Sequence, residues 1–506
     1  MKVKFAIWCI VALIGLTSLP YWIAVQTTGK DQVFGGFLYN PIDGNSYLAK
    51  MEEGRNGSWQ FSLPFTAEQG GGSYLFLFYL FLGHVSTWTR IQPIWIFHIA
   101  RVLAAMLLGL ALWKFLNRFV PVQATRVCYA LALFGAGLGW IGLFFGQVTS
   151  DLTIPEAYPF LSSFANPHFP LSLALILFLF LQRDQPSRIG AMLVYLLGGL
   201  ALASLLPFGA VLVVLVTGGL ATWDFFEKQP VHWYAPALTA IGAGPMLVYQ
   251  LAATRLDPLL AVWNAQNNTP SPGLLDFLLS FSPAIILAIP GAITVIRHPW
   301  KEARVLLVWT VIGLALTYTP FSLQRRFLLG LYIPLVGLAG IGLSQIFATQ
   351  TKKLKTATAL TLGVSYPTSL LVLVLGIFGA LHQDPLLYYS RAEQRGFDWL
   401  RQTTRAGAVV LAGPETSLFI PAQANRRVVY AHPFETVHAE QKKEWVLSFY
   451  RNDPGQVSQQ ALEDHRVNYV WIGPREIEAG GSDFLLDLPV VYQRDGIKIF
   501  QVQAGR

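Results

Sequence analysis

Cysteine, charge and nucleotide-binding motifs are scarce or missing in this chain, and each shortage narrows what it can be. Only Cys9 and Cys128 occur in 506 residues, both inside apolar runs. That excludes a disulfide framework and a cysteine-ligated metal site. Charged residues make up 13% of the chain, against roughly 25% in a soluble globular protein, so much of the surface does not face water. No Walker loop, zinc motif or Gly-x-Ser-x-Gly elbow is present. Any energy source must therefore come from a substrate or an ion gradient. There is no internal repeat and no low-complexity tract. The net charge of +8 does not point to nucleic acid, because the basic residues border apolar runs and no basic-aromatic platform accompanies them.

What the chain has instead is apolar runs of bilayer length. About eleven windows meet the requirement of ~20 apolar residues per spanning helix. They fall near 4–25, 93–113, 126–146, 167–183, 188–205, 206–223, 232–251, 277–296, 303–319, 326–346 and 357–381. The fifth and sixth meet at Leu205-Leu206-Pro207, which predicts a broken hairpin. The segment 74–82 is apolar but too short to span, and is expected to lie in the interface or to re-enter. The first run could be a signal peptide, but it is long for one and Leu-Pro-Tyr-Trp offers no small-x-small cleavage site, so an uncleaved span is expected. Gly135-Ala-Gly137-Leu-Gly139 lies inside a window and reads as close helix packing.

Lys and Arg crowd into alternate gaps: Lys2 and Lys4; Lys114, Arg118 and Arg126; Arg183 and Arg188; Lys228; Arg297, Lys301 and Arg304; Lys352, Lys353 and Lys355. The positive-inside bias then places the N-terminus in the cytoplasm and the C-terminal domain outside. Arg325-Arg326 runs against the bias. Trp95, Trp140, Trp223, Trp233 and Trp300 sit near predicted span ends, as an aromatic belt requires.

From about residue 384 charges become frequent and apolar runs shorten to strand length. The stretches 391–403 and 436–450 have helical period, while 408–412, 427–430 and 467–472 are β-branched. The stretch 490–501 reads as two strands joined at Arg494-Asp495-Gly496. The expected architecture is a polytopic α-helical membrane protein of about eleven transmembrane helices. Its transmembrane domain covers 1–383, with a long outer first loop at 27–73, and a small α/β extracytoplasmic domain covers 384–506.

Several residues carry candidate chemistry. The first loop is rich in aromatics and holds Asp43, a carboxylate suited to act as a general base or bind a cation. The competing reading is a helix N-cap, since Tyr47, Leu48 and Met51 follow at helical spacing. The second outer loop holds Asp151, Glu156 and, after Asn166-Pro167, His168. Its acids could ligate a metal or a cation bridging to a diphosphate, or the loop is merely solvated with a proline-started helix. Arg101 lies about two turns inside the second span, where a carboxylate, a phosphate or a neighbouring helix would be its partner. Gln324-Arg325-Arg326 opens the tenth span, where paired guanidiniums call for an anion such as a lipid phosphate, or anchor to headgroups.

This order of features resembles the GT-C superfamily of integral-membrane glycosyltransferases. Asp43-Gly-Asn45-Ser-Tyr47-Leu-Ala-Lys looks like the acidic first-loop motif of uncharacterised bacterial members. Asn166-Pro-His168-Phe and Gln324-Arg-Arg326-Phe resemble segments of the same proteins. Many members carry two adjacent acids in the first loop, whereas here Ile42 precedes Asp43. The resemblance implies a glycosyltransferase that uses a polyprenyl-phosphate-linked sugar donor and a glycan, lipid or protein acceptor at the outer face of the cytoplasmic membrane. Asp43 would deprotonate or align the acceptor. Asn45, Tyr47, Arg101, Glu156, His168 and Gln324 would contribute to substrate binding, and Arg325 or Arg326 would hold the donor phosphate. A divalent cation, if used, would draw on Asp43, Asp151 or Glu156. The C-terminal domain would bind acceptor or cover the site. The alternatives are a lipid or solute transporter and a catalytically inactive GT-C-like protein.

Overall fold

The structure, a computed structural model, describes residues 2–183, 189–298, 300–453, 457–481 and 488–502. Arg188, assigned above to a cytoplasmic gap, lies outside the described residues. Every window read from the sequence carries helix. Six helices are long and apolar enough to cross a bilayer: Val3–Gln26, Pro93–Phe119, Thr125–Phe144, Pro207–Phe226, Tyr234–Leu256 and Thr351–Leu381. A bent pair, Leu274–Phe281 with Ala284–Arg297, makes a seventh, and His168–Leu181, Ile189–Leu205, Arg304–Thr317 and Tyr332–Ile346 are shorter. By length and composition, then, six or seven of the described helices can span, against the expected count of about eleven. Only 11% of the apolar window of Tyr234–Leu256 and 28% of that of Val3–Gln26 is buried within the protein. Apolar surface on that scale is stable only against lipid, so the chain is a multi-pass membrane protein.

Two compact units divide it. The first comprises Met1–Pro20, His98–Tyr249 and Asn268–Leu375. Several of its helices depart from the straight spans expected. The window 126–146 is interrupted after Phe134 and resumes at Gly139. In the gap, the Ala136 N–H donates to the Ser365 carbonyl at 2.9 Å, and a Cβ on Gly137 would lie 2.0 Å from the Ser280 carbonyl oxygen. The glycines do serve close packing, through extended backbone. The window 277–296 bends by 80° at Ser282-Pro283, where proline removes a donor and crowds the preceding turn. The tenth window opens as a short 3-10 turn, Gln324–Leu328, and the α-helix begins only at Tyr332.

The second unit comprises Tyr21–Phe97, Gln250–Asn267 and Gly376–Arg506. Here the first loop and the C-terminal residues share one core. Strand β1 (Gln32–Phe34) pairs antiparallel with β2 (Tyr388–Ser390), Val33 opposite Tyr389. A five-stranded sheet follows: β3 (Val409–Leu411), β4 (Arg427–Val428), β5 (Tyr469–Ile472), β6 (Val490–Arg494) and β7 (Ile497–Gln501), in the order β4-β3-β5-β7-β6. β3 is parallel to both β4 and β5, while β7 is antiparallel to β5 and β6. The helix Arg391–Thr403, capped by a reciprocal Ser390–Glu393 pair, packs Phe397 on Trp471 with ring centroids 5.2 Å apart. Ala49 and Phe65 of the first loop join this cluster. The buried helix Pro414–Ala424 between β3 and β4 was not anticipated.

Within this unit the helices Pro41–Arg55 and Leu77–Thr89 cross backbone to backbone. A Cβ on Gly54 would lie 2.1 Å from the Leu80 carbonyl oxygen, and one on Gly83 the same distance from that of Met51. Only glycine permits this approach. Gly83→Ala should lower stability by about 1–3 kcal/mol through overpacking, read as a lower thermal midpoint of the detergent-solubilised protein. An unchanged midpoint would mean the helices are not in contact.

Candidate active site

Asp43 sits in the first turn of the helix Pro41–Arg55. Pro41 starts the helix, its fixed φ suiting that position. Asn40 stands at the N-cap in the left-handed conformation, φ 46° and ψ 62°, which Asn tolerates better than most residues. Asp43 is therefore not the N-cap. Its Oδ2 accepts a hydrogen bond from Asn40 Nδ2 at 2.5 Å, and its Oδ1 accepts one from His432 Nε2 at 3.2 Å. The Asp43 side chain keeps 39% of its surface exposed, whereas that of His432 keeps 3%.

The backbone dictates which imidazole nitrogen carries the proton. His432 Nδ1 accepts from the Phe434 and Glu435 N–H groups, each at 3.1 Å. A nitrogen that accepts is bare, so the hydrogen sits on Nε2 and points at the Asp43 carboxylate. This Asp–His arrangement fixes the orientation of an acid that solvent still reaches.

The turn carrying His432 is itself pinned. Glu435 Oε1 accepts from Lys50 Nζ at 2.7 Å and from Ser46 Oγ at 2.6 Å, both on the Asp43 helix. Lys50 is fully buried, with its ammonium 4.4 Å from the Phe76 ring centroid and 5.1 Å from that of Phe61. Burial by itself would raise the Glu435 pKa. The Lys50 charge and the hydrogen bonds from Lys50 and Ser46 outweigh it, and the carboxyl lies below its ordinary value. Tyr47 stacks on Tyr79 at 4.4 Å, a face beside Asp43. Asn45 is buried and donates to the Pro41 carbonyl at 2.9 Å, which makes it a brace of the helix start.

The first unit holds the remaining candidates. Glu156, in the short turn Pro155–Ala157, is buried and accepts from Arg326 Nη1 at 3.1 Å, while Arg326 keeps 33% of its side chain exposed. The Gly330 N–H donates to the Glu156 carbonyl at 2.9 Å, which ties this turn to the Gln324–Leu328 turn. The Arg325 N–H donates to the Thr269 carbonyl at 3.4 Å. The Gln324 amide lies between the Thr319 carbonyl and the Ser271 N–H, and bridges them in the amide orientation that pairs donor with acceptor. His168 begins the helix His168–Leu181, packs on Phe169 and is buried. Asn166 Oδ1 accepts from the Phe169 N–H at 3.4 Å.

Arg101 has a different character. Its Nη1 donates to the Ser163 and Thr17 carbonyls at 3.0 and 3.2 Å, and its Nε to His98 Nδ1 at 3.4 Å. These bonds tie three segments of the first unit together and favour the structural reading of this residue. Asp151 is also engaged: Oδ2 accepts from the Gly139 N–H at 2.9 Å and Oδ1 from Thr149 Oγ1 at 2.6 Å. Burial pushes its carboxyl above the ordinary value, although the bonds from Thr149 and Gly139 oppose the rise. Among the described residues no group of three or more His, Cys, Asp or Glu could hold a metal ion. With Asp151 committed to hydrogen bonds and Glu156 to Arg326, these acids do not make a metal cradle.

Sequence reasoning missed His432 and Glu435. A single histidine before a proline, in a polar turn some 390 residues after its partner, offers no spacing rule that could find it.

No family model matches the chain, and no curated protein matches its sequence. Solved structures do resemble it. The oligosaccharyltransferase AglB from Archaeoglobus fulgidus, in complex with an inhibitory peptide and a dolichol-phosphate, is 11% identical, with a TM-score of 0.55 over 93% of this chain and 69% of that one. The same organism's oligosaccharyltransferase in complex with Zn and sulfate is 13% identical, with a TM-score of 0.54 over 92% and 67%. ArnT from Cupriavidus metallidurans, bound to undecaprenyl phosphate, is 13% identical, with a TM-score of 0.53 over 98% of both chains. At such identities the likeness is one of fold: the chain shares the fold of these membrane proteins.

Removing one member of a buried ion pair strands the other. Lys50→Met should therefore destabilise the detergent-solubilised protein by roughly 3–5 kcal/mol, and Lys50→Met/Glu435→Met should recover much of that loss. Equal midpoints for the single variant and the parent would contradict the pairing.

Proposed function

We propose that this chain moves a sugar from a polyprenyl-phosphate donor to an acceptor nucleophile at the outer face of a cytoplasmic membrane. The observation that carries the reading is the Asp43 carboxylate, held by Asn40 and His432 yet exposed. It sits on a fold shared with an oligosaccharyltransferase that binds dolichol-phosphate and with a protein that binds undecaprenyl phosphate.

In the proposed step the acceptor oxygen or nitrogen attacks the anomeric carbon. The bond from that carbon to the phosphate oxygen breaks, the phosphate leaves with the electron pair, and the acceptor proton passes to Asp43. A positioned base of this kind contributes about 10²–10⁴-fold. His432 keeps the carboxylate aimed through its Nε2–H. Arg325 and Arg326 take the donor phosphate, since a guanidinium offers paired donors to phosphate oxygens. Glu156 holds Arg326 in place at 3.1 Å. No step here is routed through a metal. The lipid-linked donor accounts for the missing nucleotide-binding loop, since any nucleotide is left on the other side of the membrane.

The outer-face assignment draws on connectivity as well as charge. Tyr21–Phe97, Gln250–Asn267 and Gly376–Arg506 make up one compact unit, and the greater part of each falls in a gap that the positive-inside bias assigns to the outside. The 384–506 region, which shares a compact unit with the first loop, binds acceptor or covers the site.

Asp43→Asn preserves the Asn40 and His432 contacts in shape but removes the base. Sugar transfer by the reconstituted protein should fall by about 10²–10⁴-fold with folding intact. Undiminished transfer would remove Asp43 from the mechanism.

A further inference from the structure

Away from Asp43, the second unit has a cleft of about 370 Å³ at the leading edge of its sheet. Parallel pairing builds it. β3, β4 and β5 run the same way, so the residues just ahead of each strand gather along one edge. Arg405 precedes β3, Arg427 opens β4 and Arg466 precedes β5, and all three line the cleft. One carboxylate, Glu463, lines it with them. Three positive charges less one negative leave an excess of two, drawn from strand ends that the fold forces together.

Two nearby acids, Glu53 and Glu68, act on Arg427, but each also has a partner of its own. The Glu68 carboxylate is committed to Lys442, with Oε1 accepting from Nζ at 2.6 Å. Glu53 is occupied with Ser62, and burial pushes its carboxyl up to about 7. Arg427 is buried and donates to the Glu68 backbone carbonyl. Burial lowers its pKa and the Arg466 charge presses the same way, while the Glu53 and Glu68 charges oppose the shift. Arg405 and Arg466 are exposed, and Arg405 donates to Asn468 Oδ1 at 3.5 Å. Guanidiniums so placed bind oxyanions strongly through paired charge-assisted hydrogen bonds.

A second cavity of about 380 Å³ shares Gln69, Gly407 and Arg427 with the first. Its other polar side chains are the amides of Asn56, Gln60 and Asn425 and the hydroxyls of Ser58 and Ser62, which suit hydroxyl groups, together with one acid, Glu53, and one further base, Arg426. The arginine-lined half and the amide-lined half are thus continuous.

We propose that this double cleft binds an acidic saccharide. Arg405, Arg427 and Arg466 would take its phosphate or carboxylate substituent, and the amide-lined half its neutral hydroxyl-bearing portion. The site stands whether or not the chain transfers sugar. On the transferase reading, the saccharide would belong to the acceptor.

The test is direct titration of the full-length chain in detergent at low ionic strength. The probes are inorganic phosphate, glucuronate and neutral glucose, and the readout is binding alone. Phosphate or glucuronate should bind measurably. Arg405→Ala/Arg466→Ala, two exposed positions, should weaken that binding about tenfold or more, and Glu463→Gln should tighten it severalfold. The opposite signs separate a site effect from misfolding. Phosphate binding alone would identify a phosphorylated ligand, and glucuronate binding alone a carboxylated one. Failure of both anions to bind, binding unchanged in the double variant, or glucose binding as tightly as either anion would overturn the proposal.

Discussion

Lys50 cannot be buried alone. An ammonium with no exposed surface needs a counter-charge and hydrogen-bond acceptors, or the fold pays several kcal/mol for it. Glu435 supplies both, from a turn 385 residues later. That one contact obliges the first loop and the C-terminal residues to fold as a unit, and the antiparallel β1–β2 pair and the shared core around Phe397 and Trp471 follow the same joint. It also sets the His432 turn against the Asp43 helix, because the Glu435 N–H that meets His432 Nδ1 belongs to the residue that Lys50 holds. The orientation of Asp43 thus depends on the buried pair that fixes the turn carrying His432.

The membrane half obeys the same rule on polar groups. Arg101 spends its donors on the Thr17 and Ser163 carbonyls and on His98. Arg183 meets Asp224 at 2.5 Å, and Arg304 meets Glu227 at 2.7 Å. Where apolar surroundings make an uncompensated charge expensive, each of these cations has a partner. Arg326 combines a buried acid partner with a partly exposed head. That combination suits a residue that must hold its place and still greet a phosphate.

Much of this was legible in the sequence where local chemistry is decisive. Bilayer-length apolar windows mark helix whatever surrounds them. The Arg391–Thr403 helix follows from its amphipathic period and its Ser-x-x-Glu start, and the 490–501 hairpin from Asp495-Gly496. Asp43 stood out because an acid among aromatics at a membrane surface is costly unless used. What escaped was set by distance or by breaks. Proline at 283 and extended backbone after Phe134 bend helices without changing their hydropathy. The helix Pro414–Ala424 is buried nearly all round and contains Pro421, so it lacked an amphipathic period. The union of the first loop with the C-terminal region, and His432 with it, depends on pairings that no local pattern encodes.

The central claim is that His432 acts through Asp43. A double-mutant cycle on kcat/KM for sugar transfer addresses it directly, using Asp43→Asn, His432→Gln and the pair. If the imidazole serves the carboxylate, the double variant is no worse than Asp43→Asn alone, a non-additivity expected of residues in contact. Losses that multiply in the double variant would show two independent roles and contradict the account.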